Sequence, residues 1–328
     1  MYIYNTSRSL SINYQAPTMA STPLPIRHVC EEIHDTWGRL GHLVRALAKK
    51  NWAQRHQILQ TYRAMYGENL LIRLQLASQL KDSRSETFKL VFLWMLEPCD
   101  RDAFFVRDAL EKGNTKALVE VYVDRKSSQL LLIKQAYLAR FKRHVDHDIA
   151  SEPPQPYQRI LMALATSHKS HDKDVDMHIA KCDAKRVYEA SEGRFGMLDE
   201  SSMIEIFSKR SIPQLKRMLS CYNHIYGHDF TKSLKKKTTG EFEESLRTTI
   251  KCMYTPTKYY AKILHTCVKG CTSDRSALAR VLMSRAEIDI EEIRDAFHAK
   301  YGVTLLYAIQ QCTPTGEYRD FLLALATS

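Results

Sequence analysis

The chain has 328 residues, a hydrophobic fraction of 44% and only 11 glycines, which allows a sizeable buried core and disfavours a β-rich fold of tight turns. No uninterrupted apolar stretch reaches the roughly 18 residues needed to span a bilayer. The formal charge of +11 favours polyanionic partners such as anionic lipid, nucleic acid or acidic proteins, and says nothing about fold.

Residues 1–18 carry one arginine, no acids and much Ser, Tyr and Asn. They lack the apolar core of a secretory signal and read as a disordered extension, continuing to residue 27. Further along, one pattern recurs in which an aromatic is followed four residues later by another: Tyr62/Tyr66, Tyr137/Phe141, Tyr222/Tyr226 and Phe297/Tyr301. That spacing places both rings on one face of a helix. A basic residue stands at a fixed spacing ahead of each pair, at Lys50, Arg125, Arg210 and Arg285. Each unit therefore reads as a helix, a basic turn and a second helix ending in the aromatic pair. Acids then precede a final apolar helix in three copies, at Glu86, Glu241 and Glu317, whereas Pro156 holds the place in the second. Ser167 to Asp174 is polar and reads as the linker between halves.

The period is about 75 to 85 residues, longer than the roughly 33–47 residues of a helical solenoid unit, and no consistent half-period divides it. The expected fold is all-α, with four bundles of short helices spanning residues 28–98, 99–167, 168–255 (linker included) and 256–328. Eight scattered cysteines without a CxxC pair read as buried thiols in a reduced, cytoplasmic chain.

A unit of this length, repeated four times with these landmarks, resembles the annexins over residues 28–328. The most telling stretches are Tyr66-Gly67-Glu68-Asn69-Leu70, Leu93-Trp94-Met95-Leu96-Glu97-Pro98, Ser284-Arg285-Ala286-Glu287-Ile288-Asp289 and Gly316-Glu317-Tyr318-Arg319-Asp320-Phe321-Leu322, and they look like the plant branch. The resemblance implies five helices per repeat in a slightly curved disc. It also implies calcium held by Gly-x-Gly-Thr loops and a carboxylate about 40 residues later, and calcium-dependent docking on anionic phospholipid. Calcium requires 6–8 oxygens, with water and lipid phosphate completing the shell.

The implied sites are unevenly kept. The fourth repeat matches best: Gly270 and Thr272 lie in Lys269-Gly270-Cys271-Thr272-Ser273, with Thr272 in place of the second glycine, and Glu317 matches the distal acid. In the first, Gly38 and Glu86 match, but Arg39 brings a cation to the loop. The third keeps Gly240-Glu241 behind a poorly fitting loop, Gly193 to Met197, and the second has neither loop nor acid. Weak calcium binding is expected, mainly in repeat four. Trp37 and Lys269 are candidate membrane contacts. Lys49-Lys50, Lys142-Arg143 and Lys235-Lys236-Lys237 could add calcium-independent attraction. Each acid also has a plain reading as a helix cap, and Trp37 as a core residue.

Histidines 144, 147, 168, 171 and 178 follow no closed zinc pattern. No phosphate-cradling, GxSxG or HExxH motif occurs, so no catalysis is expected. The basic residues lack interleaved aromatics for stacking bases, so no specific nucleic acid is expected. The alternative function is a helical interaction protein on the same scaffold that has lost calcium and engages protein or nucleic-acid partners.

Overall fold

The computed structural model describes residues 24–80, 84–150, 156–166, 174–193, 198–237, 240–269 and 274–328. The expected extension over residues 1–18 and the linker from Ser167 to Lys173 lie outside the described residues. Among the described residues there are twenty helices and no strand, in chain order as four groups of five. The first group is α1 (Leu24–Asp35), α2 (Leu40–Leu47), α3 (Trp52–Tyr66), α4 (Leu70–Ser78) and α5 (Ser85–Met95). The second is α6 (Pro98–Glu111), α7 (Thr115–Asp124), α8 (Ser127–Phe141), α9 (Val145–Ile149) and α10 (Pro156–Thr166). The third is α11 (Met177–Ser191), α12 (Glu200–Lys209), α13 (Ile212–Tyr226), α14 (Phe230–Lys237) and α15 (Glu241–Tyr254). The fourth is α16 (Pro256–Val268), α17 (Arg275–Arg285), α18 (Ile290–Tyr301), α19 (Leu305–Cys312) and α20 (Glu317–Ala326). Helix α1 opens at Leu24, inside the stretch assigned to the extension.

The chain divides into two compact units, Met1–Met95 and Leu96–Ser328. Within the first, α1 packs on α3, α2 on α5 and α4 on α5. Within the second, the pairing of first helix with third recurs in α6 on α8, α11 on α13 and α16 on α18. Its last helices also join neighbouring groups, α15 lying against α7, α10 and α16.

The aromatic pairs explain the recurring first-to-third contact. Tyr62, Tyr137, Tyr222 and Phe297 are each fully buried. The second ring of each pair is half-buried. In three repeats it stacks flat on a ring from the first helix: Tyr66 on His34 at 3.8 Å, Tyr226 on Tyr188 at 3.9 Å and Tyr301 on His265 at 3.7 Å. In the second repeat Phe141 meets Phe104 edge-on at 5.4 Å. The edge-on contact is the geometry the aromatic quadrupole favours.

The basic residue ahead of the pair has a structural cause in three of the four repeats. Arg125 donates to Asp102 at 2.5 Å and Arg210 to Asp183 at 2.7 Å, and both acids are buried on the first helix of their repeat. Arg285 lies 4.5 Å from the ring of Tyr260 and donates to Asp289. These ties fasten the end of the second helix to the first, and pairing each buried carboxylate with a guanidinium avoids the cost of leaving it alone.

The third helix of every repeat ends in a left-handed residue right after the second aromatic: Gly67, Gly227 and Gly302, but Lys142 in the second repeat. A left-handed residue closes a helix by satisfying its last carbonyls. A side chain makes that conformation costly, by about 1–2 kcal/mol. Lys142→Gly is expected to raise stability by about 0.5–1 kcal/mol, the remainder being lost to the glycine's greater freedom in the unfolded chain. Denaturant unfolding would show no gain if the turn were unstrained.

The phenols are tied locally as well. Tyr222, His228 and Ser233 all meet the carboxylate of Glu192. Burial opposes ionisation there, but these three hydrogen bonds win and hold Glu192 below the usual carboxylate range. Asp148 is likewise held low, first by Arg143, against burial, and then by Tyr137.

Candidate functional site

The connections between the first and second helices are described throughout in the first and second repeats, and in the fourth up to Lys269 and from Asp274. In the fourth repeat, α16 ends at Val268 and exposed Lys269 closes it in extended conformation, its N–H donating to the His265 carbonyl at 3.0 Å. Burial lowers the pKa of His265, with Lys269 and Lys300 adding to the effect. Gly270 and Thr272 lie outside the described residues. Beyond them, the Asp274 carboxylate caps α17 by accepting from the Ala277 N–H at 2.9 Å.

The acid expected to act with that loop starts α20. Gly316 precedes it at φ +143°, a conformation open in practice to glycine alone, and no atom would obstruct a Cβ there. Glu317 is exposed. Its neighbour Tyr318 donates a hydroxyl hydrogen bond to the Arg275 carbonyl at 3.1 Å, and the Arg275 guanidinium lies 4.1 Å from the Tyr318 ring. The first turns of α20 and α17 are thereby joined, and α17 begins directly after the 270–273 segment.

The first repeat repeats this arrangement with different atoms. Arg39 donates to the Thr36 carbonyl at 2.9 Å across a turn in which Gly38 sits at φ +90°. Trp37 is half-buried, its ring 6.1 Å from Phe88 and 4.1 Å from the Arg73 guanidinium. Phe88 follows Glu86 on the first turn of α5, and Glu86 is exposed. The Trp37–Phe88 contact brings the Gly38 turn and the start of α5 to one corner. The structure places the Trp37 indole against protein on two sides, so its membrane and core readings meet in one residue.

In the third repeat, Gly240 precedes Glu241 at the start of α15; the Glu241 side chain and residues 194–197 lie outside the described residues. In the second, the sequence reading found no loop. The structure has a tight glycine turn there: Gly113 at φ +62° between Lys112 and Asn114, whose side chain caps α7 by accepting from Ala117 at 3.1 Å. The legible signal was Lys112-Gly113, the same dipeptide as Lys269-Gly270. Pro156 stands where the acid would be. Lys116, one turn on, pairs with Glu244 at 3.0 Å and holds that carboxyl below its usual range.

Of the oxygen donors implied for the fourth repeat, the exposed Glu317 carboxylate lies among the described residues. A hard cation takes backbone carbonyls and one bidentate carboxylate readily, leaving room for water or phosphate. Such a site needs no cluster of acids, and among the described residues no group of three or more His, Cys, Asp or Glu could hold a metal. Among the described residues, too, no helix is long and apolar enough to cross a membrane.

Comparison with known proteins places the fold. The family model described as Annexin matches residues 182–248 and 259–325. Annexin Gh1 of Gossypium hirsutum is 32% identical over 315 residues, covering 94% of this chain and 98% of that protein. Human Annexin A3 is 34% identical over 289 residues, 86% of each chain. A solved structure of annexin III superposes with a TM-score of 0.83 at 31% identity, covering 92% of this chain and 94% of that one.

Proposed function

The chain belongs to the annexin family, and from that membership we propose that it docks peripherally on anionic phospholipid membranes through calcium held at the fourth repeat. The observation that carries this reading is the Tyr318–Arg275 hydrogen bond of 3.1 Å, which ties the acidic start of α20 to the segment following the loop. Glu317 would supply the bidentate carboxylate, and the carbonyls of Gly270 and Thr272 would supply further oxygens. The ion, when bound, bridges protein oxygens to lipid phosphate. Lys269, exposed beside the loop, adds a point charge for the same phosphates. Gly38 and Glu86 form a second, weaker candidate, because the Arg39 cation sits in the turn. The protein is non-catalytic in this reading and acts in the cytoplasm.

The net charge of +11 supports a calcium-independent share, since basic residues near an anionic leaflet contribute about 1 kcal/mol each and are screened by salt. Co-sedimentation of the full chain with phosphatidylserine vesicles separates the two shares. Calcium-dependent recovery is expected, with a residue in chelator that falls as salt rises. Glu317→Gln is expected to raise the calcium needed roughly tenfold or more, because affinity follows ligand charge. Unchanged calcium dependence in that variant would remove the assignment.

Arg39 and Thr272 favour a second reading, a scaffold that has lost calcium and engages protein or nucleic-acid partners instead. Calorimetric titration with calcium, alone and with vesicles, distinguishes them: no heat in either case leaves the second.

A further inference from the structure

Helix α8 is apolar on two sides, and one of them lies open. Leu130, Ile133 and Tyr137 are buried, and α6 packs on α8. On the other side Leu131, Leu132 and Leu138 are 57%, 51% and 40% exposed. A helix that is hydrophobic all round is normally buried all round. The other repeats differ there. Counted from the aromatic pair, the places of these three leucines hold His56, Gln57 and Arg63 in the first repeat, Lys216, Arg217 and Asn223 in the third, and Glu291, Glu292 and His298 in the fourth. The repeat fold therefore does not require leucine at these places, and an apolar strip confined to one repeat marks a contact surface.

The strip has a regular form. Ser128, Leu131, Gln135, Leu138 and Lys142 follow one another at alternating steps of three and four residues, with Leu132 and Ala139 beside the two leucines. Such steps make the seam of a two-helix coil. The charge is one-sided: from Lys126 to Arg143 there are five cations and no acid. Lys134, Arg140 and Arg143 are answered by Asp146 at 2.9 Å, Asp100 at 3.0 Å and Asp148 at 2.9 Å. Lys126 and Lys142 are exposed and have no ion pair among the described residues. They stand at the two ends of the strip, about 24 Å apart along the helix.

We propose that this face of α8 binds an acidic amphipathic helix of another protein, about four turns long, without calcium. The apolar side chains of that helix cover Leu131, Leu132 and Leu138, and its carboxylates meet Lys126 and Lys142. Charge complementarity selects the acidic partner. Gln135 stands in the middle of the seam, where its amide pairs with a polar side chain and fixes the register. The same amide disfavours a bilayer, whose apolar layer offers it no hydrogen bond. Charge disfavours a second copy of the chain. Antiparallel pairing of two copies sets Lys126 against Lys142, and parallel pairing sets each lysine against its twin.

This surface holds whether or not the fourth repeat takes calcium, and every measurement is made in excess chelator, so the two can fail separately. The probe is a fluorescein-labelled helical peptide of roughly four turns, with leucine along its seam, asparagine facing Gln135 and glutamate on its flanks. Its counterpart carries lysine for every glutamate. Full-length protein is titrated against each by fluorescence anisotropy. The acidic peptide is expected to bind about tenfold or more tightly than the basic one, and less tightly as salt rises. Leu131→Ser with Leu138→Ser is expected to weaken it about tenfold or more, and Lys142→Gln about threefold. Lys216→Ser with Asn223→Ser, at the same places of α13, is expected to bind as the unaltered chain does. All these side chains are exposed, so circular dichroism should show each variant folded. Equal affinity for the two peptides, or undiminished binding by the folded leucine variant, overturns the proposal. Two further outcomes also overturn it. If the leucine variant loses recovery on phosphatidylserine vesicles but not the peptide, the strip meets membrane. If sedimentation velocity shows self-association that the leucine variant abolishes, and no peptide binds, the strip joins copies of this chain.

Discussion

Glu120→Ala is expected to cost about 3–5 kcal/mol of stability, the penalty for leaving a buried charge without its partner. Glu120 lies on α7 at 3% exposure. It accepts a hydrogen bond from the Tyr259 hydroxyl on α16 at 2.8 Å and another from the Arg280 guanidinium on α17. Burial works against the charge on Arg280, yet the Glu120 carboxylate outweighs it and holds the guanidinium ionised. Alanine removes that carboxylate from between them. Arg280 remains 8% exposed with its charge unanswered, and Tyr259 loses its acceptor. A second variant distinguishes pair from packing. Glu120→Leu combined with Arg280→Met replaces both charges with apolar groups of similar reach, and such swaps are commonly neutral or stabilising. Denaturant unfolding followed by circular dichroism should show a large loss in the single variant and recovery of most of it in the double. A single-variant loss below about 1 kcal/mol would mean that water reaches Arg280, because solvated pairs contribute only that much.

That triad also marks the boundary of what could be read from the chain alone. Periodicity exposed the repeat because each aromatic pair is local, and a four-residue spacing has one geometric meaning on a helix. The pair's outer partner was not legible. His34 and Tyr66, or His265 and Tyr301, stack face to face although they lie far apart in sequence, and only the docking of first helix on third brings them together. The recurrent basic residue was found and read as a turn. Its buried acids, Asp102 and Asp183, were not recognised, because an acid inside a helix looks the same whether it faces water or a guanidinium. Glu120 and Arg280 belong to different repeats, so no local pattern joins them.

The candidate sites divide along the same line. Gly38 and Gly316 were visible as glycines, and their positive φ confirms turns that a side chain would strain. Glu317 and Glu86 were placed by an acid ahead of an apolar run, which is equally the mark of a helix start, and both do begin helices. Tyr318 and Phe88, which tie those helix starts to Arg275 and to Trp37, carried no signal of their own. Gly113 carried no clear signal, because the second repeat has neither the second glycine nor the distal acid of the Gly-x-Gly-Thr pattern.

Trp94→Ala is expected to cost the first unit about 3–5 kcal/mol, the range for deleting a large aromatic from a packed core. Trp94 closes α5 at 1% exposure. Its indole N–H donates to the Leu47 carbonyl at the end of α2, 3.2 Å away, and the Arg55 guanidinium of α3 stacks on its face at 3.8 Å. One side chain therefore pins three helices. Arg55 is itself fully buried and donates to the Lys50 carbonyl at 2.6 Å, so losing the ring also strips a buried cation of its π face, an interaction whose worth rises with desolvation. Trp94→Phe keeps a ring beneath Arg55 and gives up the indole donor. It is expected to fall between wild type and alanine, at about 1–2 kcal/mol, for the lost indole hydrogen bond and the smaller ring; the Leu47 carbonyl still accepts from the Lys50 N–H at 3.2 Å. Far-ultraviolet circular dichroism during denaturant titration reads both variants without relying on tryptophan emission. If alanine and phenylalanine cost the same, the ring face contributes nothing and the stack on Arg55 is incidental. If the ordering holds, the α5 helix that carries Glu86 and Phe88 is held from its far end, and the Gly38 corner keeps its geometry only while that anchor stands.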